Sequence, residues 1–445
     1  MGELQELNVE EDQQSTQSTR PPPKAPDAPP NGGLVAWLQV LGGFFIFFNS
    51  WFVTQWLAHM FTDDLTRKDR GIVNTYGAFQ SFYETELLQN ETGSTISWIG
   101  TFQAFLLIAL SIFSGPIFDR GYLRELFWVG SFLVVFGLMM SSLATKYYQL
   151  FLSQGLCVGI GGGCLFLPCV AVVSTYFTTK RALAIGIIAS GGSVGSTIYP
   201  IVFRRLQPAI GFPWAIRVIA FIALGCLLGS ISIMKSRLSP SRHARKLVDL
   251  AAFKNVPYTV FTAGLFFVFV GLYVPIFDVV VDAQIGSHVK EDMSFYILSI
   301  LNAASAFGRV IPGQLADLFG SMEVIIACTV TSAIFAYGWI GIHSLGGSIA
   351  FAIVYGFVSG AVVSVQASVV ASLVPDVRYI GTWMGMSLFV AGLGILIGSP
   401  IAGVLVTSGT RAFVDPFIFS GTFTITGAIL FCIAWVYKKR IAKAG

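Results

Sequence analysis

Residues 154–173 read Gln154-Gly155-Leu156-Cys157-Val158-Gly159-Ile160-Gly161-Gly162-Gly163-Cys164-Leu165-Phe166-Leu167-Pro168-Cys169-Val170-Ala171-Val172-Val173, and none of these 20 residues is charged. A helix of about 20 mainly apolar residues crosses about 30 Å of hydrocarbon, because it satisfies its own backbone polar groups. The stretch therefore predicts a membrane-spanning helix over roughly 148–175. Working outward, comparable runs occupy roughly 34–60, 96–118, 125–144, 182–203, 214–234, 257–281, 294–316, 322–342, 347–371, 380–406 and 416–437. The runs are continuous rather than alternating, which excludes a strand barrel. Of the 445 residues, 54% are hydrophobic and only 11% charged, against roughly 25% charged in soluble domains. The expected fold is an all-α polytopic membrane protein of about twelve transmembrane helices.

The charges set the orientation. With the N-terminus in the cytosol, the cytosolic tails and loops carry 17 Lys and Arg and the outer loops six, the bias that keeps basic loops inside. Both termini are then cytosolic. A net charge of +4 is too small to point to nucleic acid. Residues 1–33 form a polar, Pro-rich tail expected to be disordered, and it lacks the pattern of a cleavable signal peptide. The six cysteines lie in apolar runs without metal-ligand spacing and read as packing residues. No Walker sequence is present, and the four histidines are scattered. No cofactor or metal is expected, and no enzyme. Asn90-Glu91-Thr92 is the only sequon, on the expected outer face.

The chain repeats itself. Gly115-Pro116-Ile117-Phe118-Asp119 closes the second run, and Gly313-Gln314-Leu315-Ala316-Asp317 closes the eighth, 198 residues later. Arg181 and Arg378, before the fifth and eleventh runs, are 197 apart. Two parallel six-helix halves follow, 34–235 and 257–437, joined by a basic linker over 236–256 and ending in a basic tail over 438–445. Such repeats place a substrate path between the halves and alternate access by rocking. Small residues at three- and four-residue spacing in the fourth, fifth and eleventh runs let those helices approach closely.

Gly115 to Asp119 with Arg120-Gly121 resembles, in abbreviated form, the loop signature of the major facilitator superfamily. Tyr176-Phe177-Thr178-Thr179-Lys180-Arg181-Ala182-Leu183-Ala184-Ile185-Gly186, followed by Ala189-Ser190-Gly191-Gly192-Ser193-Val194-Gly195, is similar to the fifth-helix signature of the monocarboxylate porters, nearest their fungal branch. Asn31-Gly32-Gly33 with Trp37 resembles that family's first-helix opening, with Asn31 in place of an acid. The resemblance implies carriage of a small organic anion, often with a proton, across the lipid bilayer, at the plasma membrane or alternatively the vacuolar one. It also implies a helix-one lysine, where Gly77 stands, and a helix-eight Asp–Arg pair, of which Arg309 is present and Ser305 replaces the aspartate. Import of a small acid by symport competes with efflux of a larger metabolite. A non-transporting nutrient sensor is the alternative of another class.

Arg309 is the leading substrate contact. It lies eight residues before Asp317, about 12 Å into the membrane, where an arginine needs a cavity or a partner and its planar fork suits a carboxylate. Asn74, Tyr76, Gln80, Gln103, Tyr199, Asn302, Gln366 and Trp383 are further candidates for the cavity lining. Asp278 and Asp282 close the seventh run near the outer edge. Asp119, Arg120 and Asp317 are candidate gating residues, because an acid at a helix end can accept from an opposing helix N-terminus. Residues 52–70 interrupt the first helix with six charged side chains. They read as a retained intron or gene-model error, or else as a genuine outer extension.

Overall fold

The computed structural model describes residues 30–57, 88, 93–237, 249–276, 279, 291–342, 344–406 and 413–444. The expected segments 1–29, 58–87 and the sequon at Asn90 lie outside them, as do Asp278 and Asp282. Among the described residues the chain is all-α.

In chain order the helices are α1 (Leu34–Leu57), α2 (Trp98–Asp119), α3 (Leu123–Ser141), α4 (Tyr147–Tyr176), α5 (181–210), α6 (212–233), α7 (Val256–Leu272), α8 (Glu291–Phe319), α9 (Ser321–Gly338), α10 (Leu345–Leu373), α11 (Ile380–Leu405) and α12 (Val414–Ala444). Helices α5 and α6 are one hydrogen-bonded run, Arg181–Ile233, that turns at Gly211 with φ 76°. Only a residue without Cβ adopts that backbone cheaply. Among the described residues, nine helices are long and apolar enough to cross a membrane, with Arg181–Ile233 taken as one. The protein is an integral membrane protein of the polytopic all-α class.

Side-chain exposure fits a lipid solvent. Phe132, Trp128, Ile334 and Val404 point outward, Val404 at 84% exposure. In water such a surface would aggregate; in hydrocarbon it is the solvated face. Polar side chains sit inside, and the hydroxyls of Ser50, Ser141, Ser174 and Thr329 return to carbonyls four residues back.

Helix boundaries follow the hydropathy reading closely, with three departures. Helix α5 runs to Gly211 rather than stopping at 203. Helix α12 continues to Ala444, through the stretch expected to be a tail. It is held there by Lys438 Nζ on Ser372 Oγ at 3.0 Å, Lys439 stacked 3.8 Å from the Trp435 ring, and Trp435 Nε1 donating to Glu323 at 2.8 Å. The third departure concerns the N-terminal tail, whose end is already fixed at Asn31. The Asn31 side-chain oxygen accepts from Thr178 N, Thr178 Oγ1 and Thr179 N at 2.6, 2.9 and 3.0 Å.

The first six residues of the anomalous segment, 52–57, continue α1, and the remainder lies outside the described residues. A polar helix also departs from the apolar rule. Helix α8 carries Asn302, Ser305 and Arg309 in its buried interior and is not among the nine apolar spans.

Candidate functional site: two seams between α1–α6 and α7–α12

Two seams join the N-terminal helices to the C-terminal ones: α2 against α11, and α5 against α8. Each seam is fastened by one carboxylate, at the end where α2 and α8 close and α11 and α5 begin. Asp119, the last residue of α2, accepts from Gly381 N at 3.0 Å, Thr382 N at 2.7 Å and Thr382 Oγ1 at 2.6 Å. Asp317, near the end of α8, accepts from Ala182 N at 2.9 Å and Leu183 N at 2.8 Å. Both acids cap the first turn of a helix from the other side of the seam. The first N–H groups of a helix have no intrahelical acceptor, and the helix dipole is positive there. A carboxylate meets both needs with charge-assisted bonds. Arg120 follows Asp119 as the C-cap of α2.

Close approach makes the caps reachable. Gly115 lies against the Gly381 carbonyl, and Gly313 against Ala182, so that a Cβ at either glycine would meet backbone. Farther in, Gly385 touches the Ser111 backbone and Gly186 touches that of Arg309. Each seam is thus closed from its capped end inward.

Arg309 stands one level deeper on the α5–α8 seam. It is buried, and its Nη1 donates to the Ala189 carbonyl at 2.5 Å. Ser193 Oγ and Ser305 Oγ follow at 3.3 Å, and Ser364 Oγ of α10 reaches the Arg309 carbonyl at 3.4 Å. In this conformation the guanidinium fastens α8 to α5 rather than opening onto bulk solvent.

The remaining candidates divide by place. Tyr199 donates to Asn49 Oδ1 at 2.6 Å and packs on Phe48 with ring centroids 4.9 Å apart, joining α5 to α1. Gln103 is buried where α2 meets Gly159 of α4. Gln366 is buried and donates to Val363 O at 3.2 Å. Asn302 is buried on α8. The side-chain oxygens of Gln103, Gln366 and Asn302 have no hydrogen-bond partner among the described residues. Trp383 is placed differently. It follows the capped Thr382 in the first turn of α11, donates Nε1 to Asp249 at 3.2 Å, and packs on Tyr258 with ring centroids 4.7 Å apart. It belongs to the layer of the capped helix ends, tied to Asp249 at the end of the linker. Asn74, Tyr76 and Gln80 lie outside the described residues.

Sequence reasoning missed Thr382, Asp249, Asn49 and Ser193. Thr382 carried a signal: a hydroxyl one turn into a helix that begins opposite a predicted gating acid.

Comparison with known proteins bears on the family and the fold. Residues 39–308 match the Major Facilitator Superfamily. The MFS-type transporter dbaD of Emericella nidulans is 41% identical over 405 residues, covering 91% of this chain and 87% of that one. The aspyridones efflux protein apdF of the same organism is 34% identical, covering 92% and 80%. The fujikurins efflux protein of Gibberella fujikuroi is 36% identical, covering 94% and 86%. Among solved structures, the human organic anion transporter MFSD10 superimposes with a TM-score of 0.69 at 14% identity, over 89% of this chain and 98% of that one. The chain belongs to the major facilitator superfamily and is a membrane transporter, not an enzyme.

Proposed function

We propose that the protein exports an organic metabolite by alternating access between two six-helix halves, α1–α6 and α7–α12, with both termini in the cytosol. The observation that carries the direction is the likeness, over nearly the whole chain, to proteins named for efflux of aspyridones and fujikurins. These relatives support efflux of a larger metabolite better than import of a small monocarboxylate.

The paired caps support the alternation. With both seams closed inside, cargo exchanges with the outer side. Turning inward requires the bonds at Asp119, at Asp317 and between Arg309 and Ala189 to break together. Each such charged bond contributes roughly 1.5–3 kcal/mol, and water replaces it when the seam opens. The difference left between the two states is then a few kcal/mol, as a working switch needs. Opening also frees the Arg309 fork for an anionic or carbonyl oxygen on the cargo. Asn302, two turns from Arg309 along α8, and Gln366 of α10 offer hydrogen bonds, and the cargo is an organic molecule carrying oxygen functions.

Uptake of a small organic anion by proton symport is the second reading, favoured by the buried cation at Arg309. One experiment separates the two. Everted membrane vesicles containing the chain are given labelled 4-hydroxycinnamate or labelled lactate under an imposed proton gradient. Export predicts accumulation of the larger compound. Lactate flux alone would replace export with the symport reading.

A further inference from the structure

The α5–α8 seam has a register. Arg309 bonds Ala189, and Ser305 bonds Ser193. The partner moves four residues outward along α5 while α8 moves four residues back, as antiparallel helices require. One further turn brings Ser196 and Asn302 to the same level. Both are more than nine-tenths buried, at 7% and 2% exposure. The Ser196 hydroxyl and the Asn302 carbonyl oxygen have no hydrogen-bond partner among the described residues. The rungs at Arg309 and Ser305 are each bonded across the seam, and the two side-chain oxygens of this one are not.

Buried polar groups are normally paired, and leaving one unpaired costs about 1–3 kcal/mol. Within a membrane there is no bulk water at hand to pair it. Two such groups, on opposite sides of the seam that must part during transport, are matched to a visiting ligand.

We propose that Ser196 and Asn302 form a hydroxyl-recognising subsite for the cargo. The Asn302 oxygen accepts from a hydroxyl of the ligand, and the Ser196 hydroxyl donates to the oxygen of that ligand hydroxyl. This rests on the transport reading above, in which Arg309 takes the anionic end. Seven residues of helix separate Asn302 from Arg309, about 10 Å. The cargo class is therefore an elongated acid, or a molecule with an equivalent ionised or carbonyl oxygen, bearing a hydroxyl about 10 Å away.

The test uses 4-hydroxycinnamate and cinnamate, which differ in that hydroxyl alone. The purified full chain is melted with each compound, and uptake of each is measured in everted vesicles. In the wild type, 4-hydroxycinnamate raises the melting temperature more than cinnamate and is taken up at least about tenfold better, since a site built to bond a hydroxyl discriminates strongly against its absence. Asn302→Leu and the milder Ser196→Ala bring both ratios toward one. Without ligand, Asn302→Leu melts about 1–4 °C higher, because an unpaired group has been removed. A fall in melting temperature for both variants with ligand discrimination intact overturns the subsite and makes the pair packing groups. A wild type stabilised equally by both compounds, or by neither, also overturns it. Discrimination in the melts without uptake of either compound upholds the subsite and removes the transport reading instead.

Discussion

Asp119 and Thr382 are 263 residues apart in the chain and share two hydrogen bonds, 2.7 Å to the backbone nitrogen and 2.6 Å to the hydroxyl. Those bonds cross from α2 to α11. They can exist only while the capped ends of the two helices are together, so in the cycle proposed above the pair marks the closed state.

Asp119→Asn removes the charge that faces the α11 N-terminus. It also places an amide N–H2 where the carboxylate now accepts. The expected result is a shift toward the cytosol-open state by about tenfold, the equivalent of about 1.4 kcal/mol. The check is the labelling rate of a cysteine introduced at Ala189, reached from the cytosolic face by an impermeant thiol reagent. Asp317→Asn is expected to act in the same direction on the other seam.

Gly381→Ala tests the close approach. Its Cβ would meet the Gly115 carbonyl and the Asp119 carboxylate. Closing the seam then costs on the order of 1–3 kcal/mol, and cysteine labelling rises as for Asp119→Asn. Gly225→Ala is the control. Its Cβ would meet nothing within 4 Å, and the expected change is a stabilisation of about 0.5–1 kcal/mol from helix propensity.

Arg309→Met separates fastening from cargo recognition. An apolar side chain of similar length removes the desolvation cost of the buried charge together with its bond to Ala189, two opposing effects of similar size. The melting temperature is expected to hold while uptake of 4-hydroxycinnamate falls about 100-fold. Arg309→Lys keeps the charge and loses the fork. It is expected to recover part of the uptake.

Trp383→Phe keeps the ring on Tyr258 and deletes the indole N–H that reaches Asp249. If the end of the linker steadies the α11 cap, the variant raises cytosolic labelling of the Ala189 cysteine by about two- to fivefold. A labelling rate equal to the wild type would leave the Asp249 contact as simple anchoring.

The spans were legible because hydropathy acts locally: a 20-residue apolar run must cross or be buried. The capping acids were legible from the 198-residue echo between Asp119 and Asp317. The partners were harder. Thr382 and Ala182 earn their places only through seams that bring distant helices together, and no local pattern encodes that. Arg309 was found by its cost in a membrane, but its bond to the Ala189 carbonyl leaves no trace in sequence, since any residue supplies a carbonyl. Trp383 looked like a cavity residue because an amphipathic indole suits a cavity, whereas its place in the first turn of α11 sets it at the helix end. Ser196 was passed over as one small residue among many, and only the register with α8 sets it apart.

Alternation through the α5–α8 seam is tested most directly by locking it. Cysteines at Leu183 and Gln314, on the helices whose ends Asp317 joins, are bridged by a short reducible bifunctional thiol reagent, and uptake of 4-hydroxycinnamate into everted vesicles is followed. The predicted result is loss of uptake on cross-linking and its return on reduction. Uptake that continues at full cross-linking would contradict the account.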